Sequence, residues 1–246
     1  MVNELPAIGW PRRVGAWLTH GLTSTGAALG VFALYALHQG QFLHAFWLLA
    51  AAVLVDSVDG FLARLTRVTT TTPNFDGALL DNMIDYLTYV IIPAFFVLIA
   101  DILPAEWRYV GATVMVLTSA YQFCQKDAKT DDHFFKGFPS YWNVVVFYMF
   151  LWRLPPLLNL ILILTFGVMV FVPVKYVHPS QPTYLARSLW ARTAIVAASI
   201  LWGVATAILM LIYPQTNSLL VAFSIAYCIF YVVFSVYRTL RPLTTA

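Results

Sequence analysis

Charge is scarce in this sequence. Only 10% of its 246 residues are Asp, Glu, Lys or Arg, against 61% hydrophobic. That balance excludes an ordinary soluble globular class and fits an integral membrane protein. Cysteine is nearly absent. Cys124 and Cys228 stand far apart and match no metal or redox spacing, so both are expected as free thiols. The net charge of +3 is small and its distribution matters more; no nucleic-acid partner is expected. There is no internal repeat or low-complexity stretch, so residues 1–246 read as one membrane-embedded domain. Residues 1–18 do not form a signal peptide, because Pro6, Pro11, Arg12 and Arg13 interrupt the apolar residues. Trp10, Val14, Trp17 and Leu18 beside the two arginines predict a short amphipathic helix on the membrane surface there.

The few acids are not scattered. Five of eleven fall between Asp56 and Asp85, flanked by the apolar runs FWLLAAAVLV and TYVIIPAFFVLIA. One charged side chain near a bilayer centre costs roughly 2.5–3.5 kcal/mol, and four together on the order of 10 kcal/mol, less near an interface. At about 100° per residue, Asp56, Asp59, Gly60, Ala63 and Arg64 share an arc of about 140° on one helix. Gly77, Asp81 and Asp85 share about 80° on the next, while Asp76 points away. Two helices with facing carboxylates offer four hard oxygen ligands, which suit Mg²⁺ or Mn²⁺ bound together with substrate phosphates. The small residues Gly60, Ala63 and Gly77 permit close helix approach or leave room for a ligand.

Eight helical segments are expected, over about 22–37, 42–67, 74–103, 106–123, 141–152, 157–174, 189–212 and 218–237. The threonine run with Pro73 is expected to break the second from the third, with Asn74 as N-cap. Eight crossings place both termini on one side, with twelve of the fourteen lysines and arginines; only Arg108 and Arg153 fall opposite. The positive-inside rule makes the rich side cytoplasmic, and the aspartates lie there too, where a soluble substrate and a metal arrive. This is the topology of a multi-pass inner-membrane protein.

The pattern D-x2-D-G-x2-A-R, twelve residues, then G-x3-D-x3-D resembles the signature of the CDP-alcohol phosphatidyltransferase family. It is carried by Asp56, Asp59, Gly60, Ala63, Arg64, Gly77, Asp81 and Asp85. The gap from Leu65 to Asp76 is longer than the roughly eight residues of most members, and resembles the bacterial members that use choline. The resemblance implies a six-helix core, to which this chain adds two helices. It also implies a metal-dependent reaction, with two Mn²⁺ or Mg²⁺ ions. An alcohol hydroxyl attacks the lipid-side phosphate of CDP-diacylglycerol and CMP leaves. By resemblance, Asp56, Asp59, Asp81 and Asp85 hold metal and Asp85 is the general base. Asp56, Gly60, Ala63, Arg64 and Gly77 face the nucleotide or a helix contact.

The segment from Lys129 to Asn143, KTDDHFFKGFPSYWN, extends the resemblance to the choline-using members, whose product is phosphatidylcholine. Choline's quaternary ammonium is held by aromatic faces, often helped by a carboxylate. Tyr121, Asp131, Asp132, Tyr141 and Trp142 are the acceptor candidates, and Lys136 and Lys175 those for lipid phosphate; interfacial aromatics and positive-inside lysines are the plainer account of each. Serine, inositol or glycerol 3-phosphate is the alternative acceptor. A divalent-ion carrier is the remote alternative, disfavoured because the acids cluster at one face and no paired halves are visible. The five histidines read as structural. Membrane lipids are the surroundings, and a homodimer is compatible with the sequence without being fixed by it.

Overall fold

A computed structural model describes residues 9–128, 130, 134–177 and 188–241. They form two compact units, Met1–Ala100 with Trp142–Phe147, and Asp101–Tyr141 with Tyr148–Ala246.

The first unit opens with α1 (Trp10–His38), a helix with Pro11 in its first turn, where a missing N–H costs nothing. Residues 10–18 are the first turns of α1, so the described part of the expected N-terminal segment is no separate element. After Pro11, nothing up to Leu22 withholds an N–H, and the one hydroxyl there folds back on the helix, Thr19 Oγ1 donating to Gly15 O at 2.9 Å. Residues 1–8 of that segment lie outside the described residues. Gly40, at φ +71°, turns the chain into α2 (Phe42–Thr66). The buried face of α1 is a stripe of small residues, among them Ala16, Thr19, Thr23, Gly26, Gly30 and Ala33. It admits the helical segment around Ile84 and Leu87 closely. A Cβ on Gly26 would meet Ile84 at 2.8 Å and one on Gly30 would meet Leu87 at 2.9 Å.

The break after α2 comes earlier than the sequence predicts. Arg67 turns left-handed (φ 50°), and the threonine run makes a helical turn of its own, α3 (Val68–Thr71). Asp76, not Asn74, caps α4 (Gly77–Asp85), accepting from Leu79 N at 2.9 Å. A wide, π-type turn over Tyr86–Ile91 joins α4 to α5 (Ile92–Ile99), making one helix from Gly77 to Ile99. Phe42 and Phe46 pack on Phe96 at 5.2 and 5.0 Å between ring centres, and Phe147 closes on Phe46 at 5.1 Å.

The second unit holds α6 (Arg108–Cys124), the end of α7 (Trp142–Leu151), α8 (Pro156–Met169), α9 (Leu189–Ile212) and α10 (Ser218–Leu240). Two short antiparallel strands, β1 (Phe135–Lys136) and β2 (Lys175–Tyr176), pair Lys136 with Lys175. The strands explain why α8 ends at Met169 and not near Val174. Phe138 N donates to Met169 O at 3.0 Å and Gly137 N to Val174 O at 2.9 Å, satisfying carbonyls at and beyond the helix end. α10 holds β2: Thr239 Oγ1 accepts from Lys175 N at 2.7 Å, and Tyr231 donates to Val177 O at 2.9 Å.

Each of the eight expected segments is helical. Among the described residues, four helices are long and apolar enough to cross a membrane: Phe42–Thr66, Gly77–Ile99, Leu189–Ile212 and Ser218–Leu240. Leu201, Leu211, Ile229 and Val233 lie exposed on the last two, as side chains facing lipid do.

Gly137 gives a direct test of the strand pair. It sits at φ +78°, and a Cβ there would lie 2.1 Å from Val170 O, a backbone atom. Gly137→Ala is expected to lower the thermal transition of the detergent-purified protein, since an unfavourable backbone conformation alone costs about 1–3 kcal/mol.

Candidate active site

The aspartates converge because two helix periods meet. Asp56 and Asp59 lie three apart near the end of α2, and Gly77, Asp81 and Asp85 recur every four residues along α4, so each set shares a face. The close approach of α1 at Gly26 brings both faces to one cleft, lined among others by Thr23, Asp56, Asp59, Asp81, Asp85 and Thr88. Carboxylate oxygens of Asp56, Asp81 and Asp85 lie within 4.8 Å of one another. At an effective dielectric of about 20, unit charges that close repel by about 3–4 kcal/mol per pair, less where water reaches them.

Asp59 lines the same cleft but falls outside that group of three. It is 5% exposed, and its Oδ2 has no hydrogen-bond partner. A buried carboxylate oxygen without a donor carries an unpaid desolvation cost. Three convergent carboxylates and a fourth with an orphaned oxygen form an all-oxygen donor set, the kind hard divalent cations take. The residues therefore fit Mg²⁺ or Mn²⁺.

The rest of the motif is placed around them. Arg64 is exposed, with Nη1 3.8 Å from where a Gly60 Cβ would stand. Ala63 is half-buried one residue before it. Gly77 is a helix-contact glycine: a Cβ there would lie 2.7 Å from His20 Cε1. His20 Nε2 shares a 2.9 Å hydrogen bond with Thr72 Oγ1, and its ring packs on Phe75 at 4.5 Å. Trp17 packs on Phe75 at 5.4 Å, and Arg12 Nε donates to Thr66 O at 3.4 Å. The long linker between the motif halves is thus held on α1 by an aromatic and hydrogen-bonded clasp. Gly77→Ala is expected to destabilise by about 1–3 kcal/mol through overpacking. Adding His20→Ala makes room, so the double variant should lose less than the sum of the singles, as a double-mutant cycle of thermal transitions will show.

Two contributors were not foreseen. Tyr89 donates to Asp56 Oδ2 at 3.3 Å. Its signal was present, since 77, 81, 85 and 89 continue one four-residue series. The clasp of Trp17, His20, Thr72 and Phe75 had no signal, because it joins residues 52 and more apart.

The acceptor and lipid-phosphate candidates have separate surroundings. Asp131 and Asp132 lie outside the described residues. Tyr121, half exposed, packs on Phe171 at 4.9 Å, and Tyr141 on Phe135 at 6.0 Å. Trp142, in the first unit, is fully buried. Lys136 Nζ lies 2.6 Å from Asp127 Oδ2, a pair not anticipated. The hydrogen bond holds the Asp127 carboxyl below the usual carboxylate range and raises Lys136. Lys175 faces Lys136 across the strand pair.

The family whose sequence pattern matches residues 17–175, spanning both halves of the aspartate motif, is described as CDP-alcohol phosphatidyltransferase. The chain belongs to that family. A CDP-alcohol phosphatidyltransferase generally uses divalent metal ions, in keeping with the donor set described above. Among similar members, a phosphatidylcholine synthase of Legionella pneumophila is 46% identical over 94% of this chain and 91% of its own. One of Legionella bozemanae is 44% identical over 88% and 100%. One of Pseudomonas aeruginosa is 32% identical over 92% of each chain.

Proposed function

We propose that this chain transfers the phosphatidyl group of CDP-diacylglycerol to choline, giving phosphatidylcholine and CMP. The observation that carries the reaction is the meeting of Asp56, Asp81 and Asp85 within 4.8 Å at the facing ends of two motif helices. The choice of choline rests on the relatives named phosphatidylcholine synthase, which match along nearly the whole chain.

Asp56, Asp59, Asp81 and Asp85 are the residues to hold two Mn²⁺ or Mg²⁺ ions. When bound, the metal supplies positive charge for the pyrophosphate and for the departing phosphate. Asp85 takes the proton of the choline hydroxyl as that oxygen bonds to the lipid-side phosphorus. The bond from this phosphorus to the bridging oxygen breaks, and CMP leaves with that oxygen. Asp56 and Arg64 orient the nucleotide, and Gly60 and Ala63 leave it space. Tyr121, Asp131, Asp132, Tyr141 and Trp142 are the residues to test for the ammonium, and Lys136 and Lys175 for lipid phosphate. We place the enzyme in the bacterial inner membrane as eight spans, with its termini and aspartates on the cytoplasmic side.

The test is an acceptor panel in detergent with CDP-diacylglycerol and Mn²⁺ or Mg²⁺. Choline alone is expected to release CMP, and chelator to stop it. Release with serine, inositol or glycerol 3-phosphate instead would keep the metal reading and discard choline. No release from folded protein with any acceptor would favour the ion-carrier alternative.

A further inference from the structure

Tyr89 lies where the carboxylate cleft meets an irregularity in the helix that carries it. α4 ends at Asp85, and the wide turn begins at the next residue. Such turns hold their hydrogen bonds one residue farther apart than an α-helix, are rare, and are found frequently at functional sites. They change the direction in which the following side chains point. Within this turn the Tyr89 phenol reaches to α2 and donates to Asp56 Oδ2 at 3.3 Å. Its neighbour Thr88 turns its hydroxyl back to Ile84 O at 3.0 Å.

An ionised carboxylate has two oxygens and about four acceptor positions. A donor on one oxygen fixes the group's orientation and leaves acceptor capacity on the other. Asp56 needs such a constraint, because repulsion from Asp81 and Asp85 favours rotamers that carry its carboxylate away from them. The contact is longer than the ~2.8 Å typical of O–H···O bonds. At that length it is a weak bond, enough to favour one direction of the carboxylate among its rotamers. Resting on the metal reading proposed above, we infer that Tyr89 is a positioning residue for the cation: its phenol holds the Asp56 carboxylate in the direction in which it ligates.

The test is a Mn²⁺ titration of detergent-purified protein, with free ion read by electron paramagnetic resonance. Tyr89→Phe deletes one oxygen and keeps the ring. Loss of a hydrogen-bond partner of a metal ligand weakens metal affinity by about 10–100-fold, and the Kd for Mn²⁺ is expected to rise by that factor. CMP release should recover toward the wild-type rate at saturating Mn²⁺. Tyr89→Met, which also lacks the donor, must show the same weakening, so a folding defect in one variant does not end the test. An unchanged Kd in either folded variant overturns the assignment. Absence of Mn²⁺ binding by the wild-type protein is a different failure, one that removes the metal site itself and the inference with it.

Discussion

Asp85→Asn is expected to lower choline-dependent CMP release by about 10²–10⁴-fold, the usual contribution of a positioned general base. The substitution is nearly isosteric. The half-buried side chain sits at the last residue of α4, where the amide keeps the shape but turns one acceptor oxygen into a donor and cannot accept the hydroxyl proton. The helix is held elsewhere, by the Asp76 cap and by Ile84 and Leu87 against the α1 glycines. The loss should therefore appear in kcat, with a thermal transition equal to or above that of the wild-type protein. A variant that loses activity only because it unfolds would show a lowered transition and would assign Asp85 to the fold. A folded variant with wild-type kcat would remove it from the chemistry.

Asp81→Asn is expected to have opposite effects on activity and stability. With oxygens of Asp56, Asp81 and Asp85 inside 4.8 Å, removing one charge weakens cation binding. Electrostatic stabilisation by a bound metal is worth several kcal/mol, so the rate should fall by about 10²–10³-fold. In chelator the order reverses. Repulsion among the remaining carboxylates is smaller than in the wild-type protein, and the variant should melt at the higher temperature, by about 1–3 kcal/mol of added stability. Thermal scans of both proteins with EDTA and with Mn²⁺ make the comparison. Chelated wild-type protein should melt lower than Asp81→Asn, and Mn²⁺ should raise the wild-type transition more. A lower transition for Asp81→Asn in EDTA would mean that the carboxylates serve packing and not a cation.

Much of this was legible because helical periodicity is local. Positions 56 and 59, and 77, 81 and 85, fix their own faces, and apolar runs of α-helical length fix the segments. α9 keeps the predicted bounds, Leu189–Ile212, because Pro214 and polar neighbours punctuate its end plainly. What escaped was long-range. Nothing near Gly77 announces that His20 will fill the space above it. The pairing of Lys136 with Lys175 joins strands 39 positions apart with α7 and α8 between them, and the early end of α8 follows from that same pairing. Asn74 and Asp76 are both good caps, and only the contact with Leu79 N decides between them. Tyr89 escaped for another reason. It fits the four-residue series, but a tyrosine in an apolar run reads as packing until its hydroxyl is seen at Asp56.

The proposed reaction turns on attack by the choline oxygen at the lipid-side phosphorus. The direct measurement is product analysis by mass spectrometry, with CDP-diacylglycerol and choline carrying ¹⁸O in its hydroxyl. Attack there places ¹⁸O in phosphatidylcholine, one such molecule per CMP, and leaves CMP unlabelled. Labelled cytidylyl-choline with phosphatidic acid would show attack on the other phosphorus, and CMP without phosphatidylcholine would show hydrolysis; either result rules out the proposed transfer.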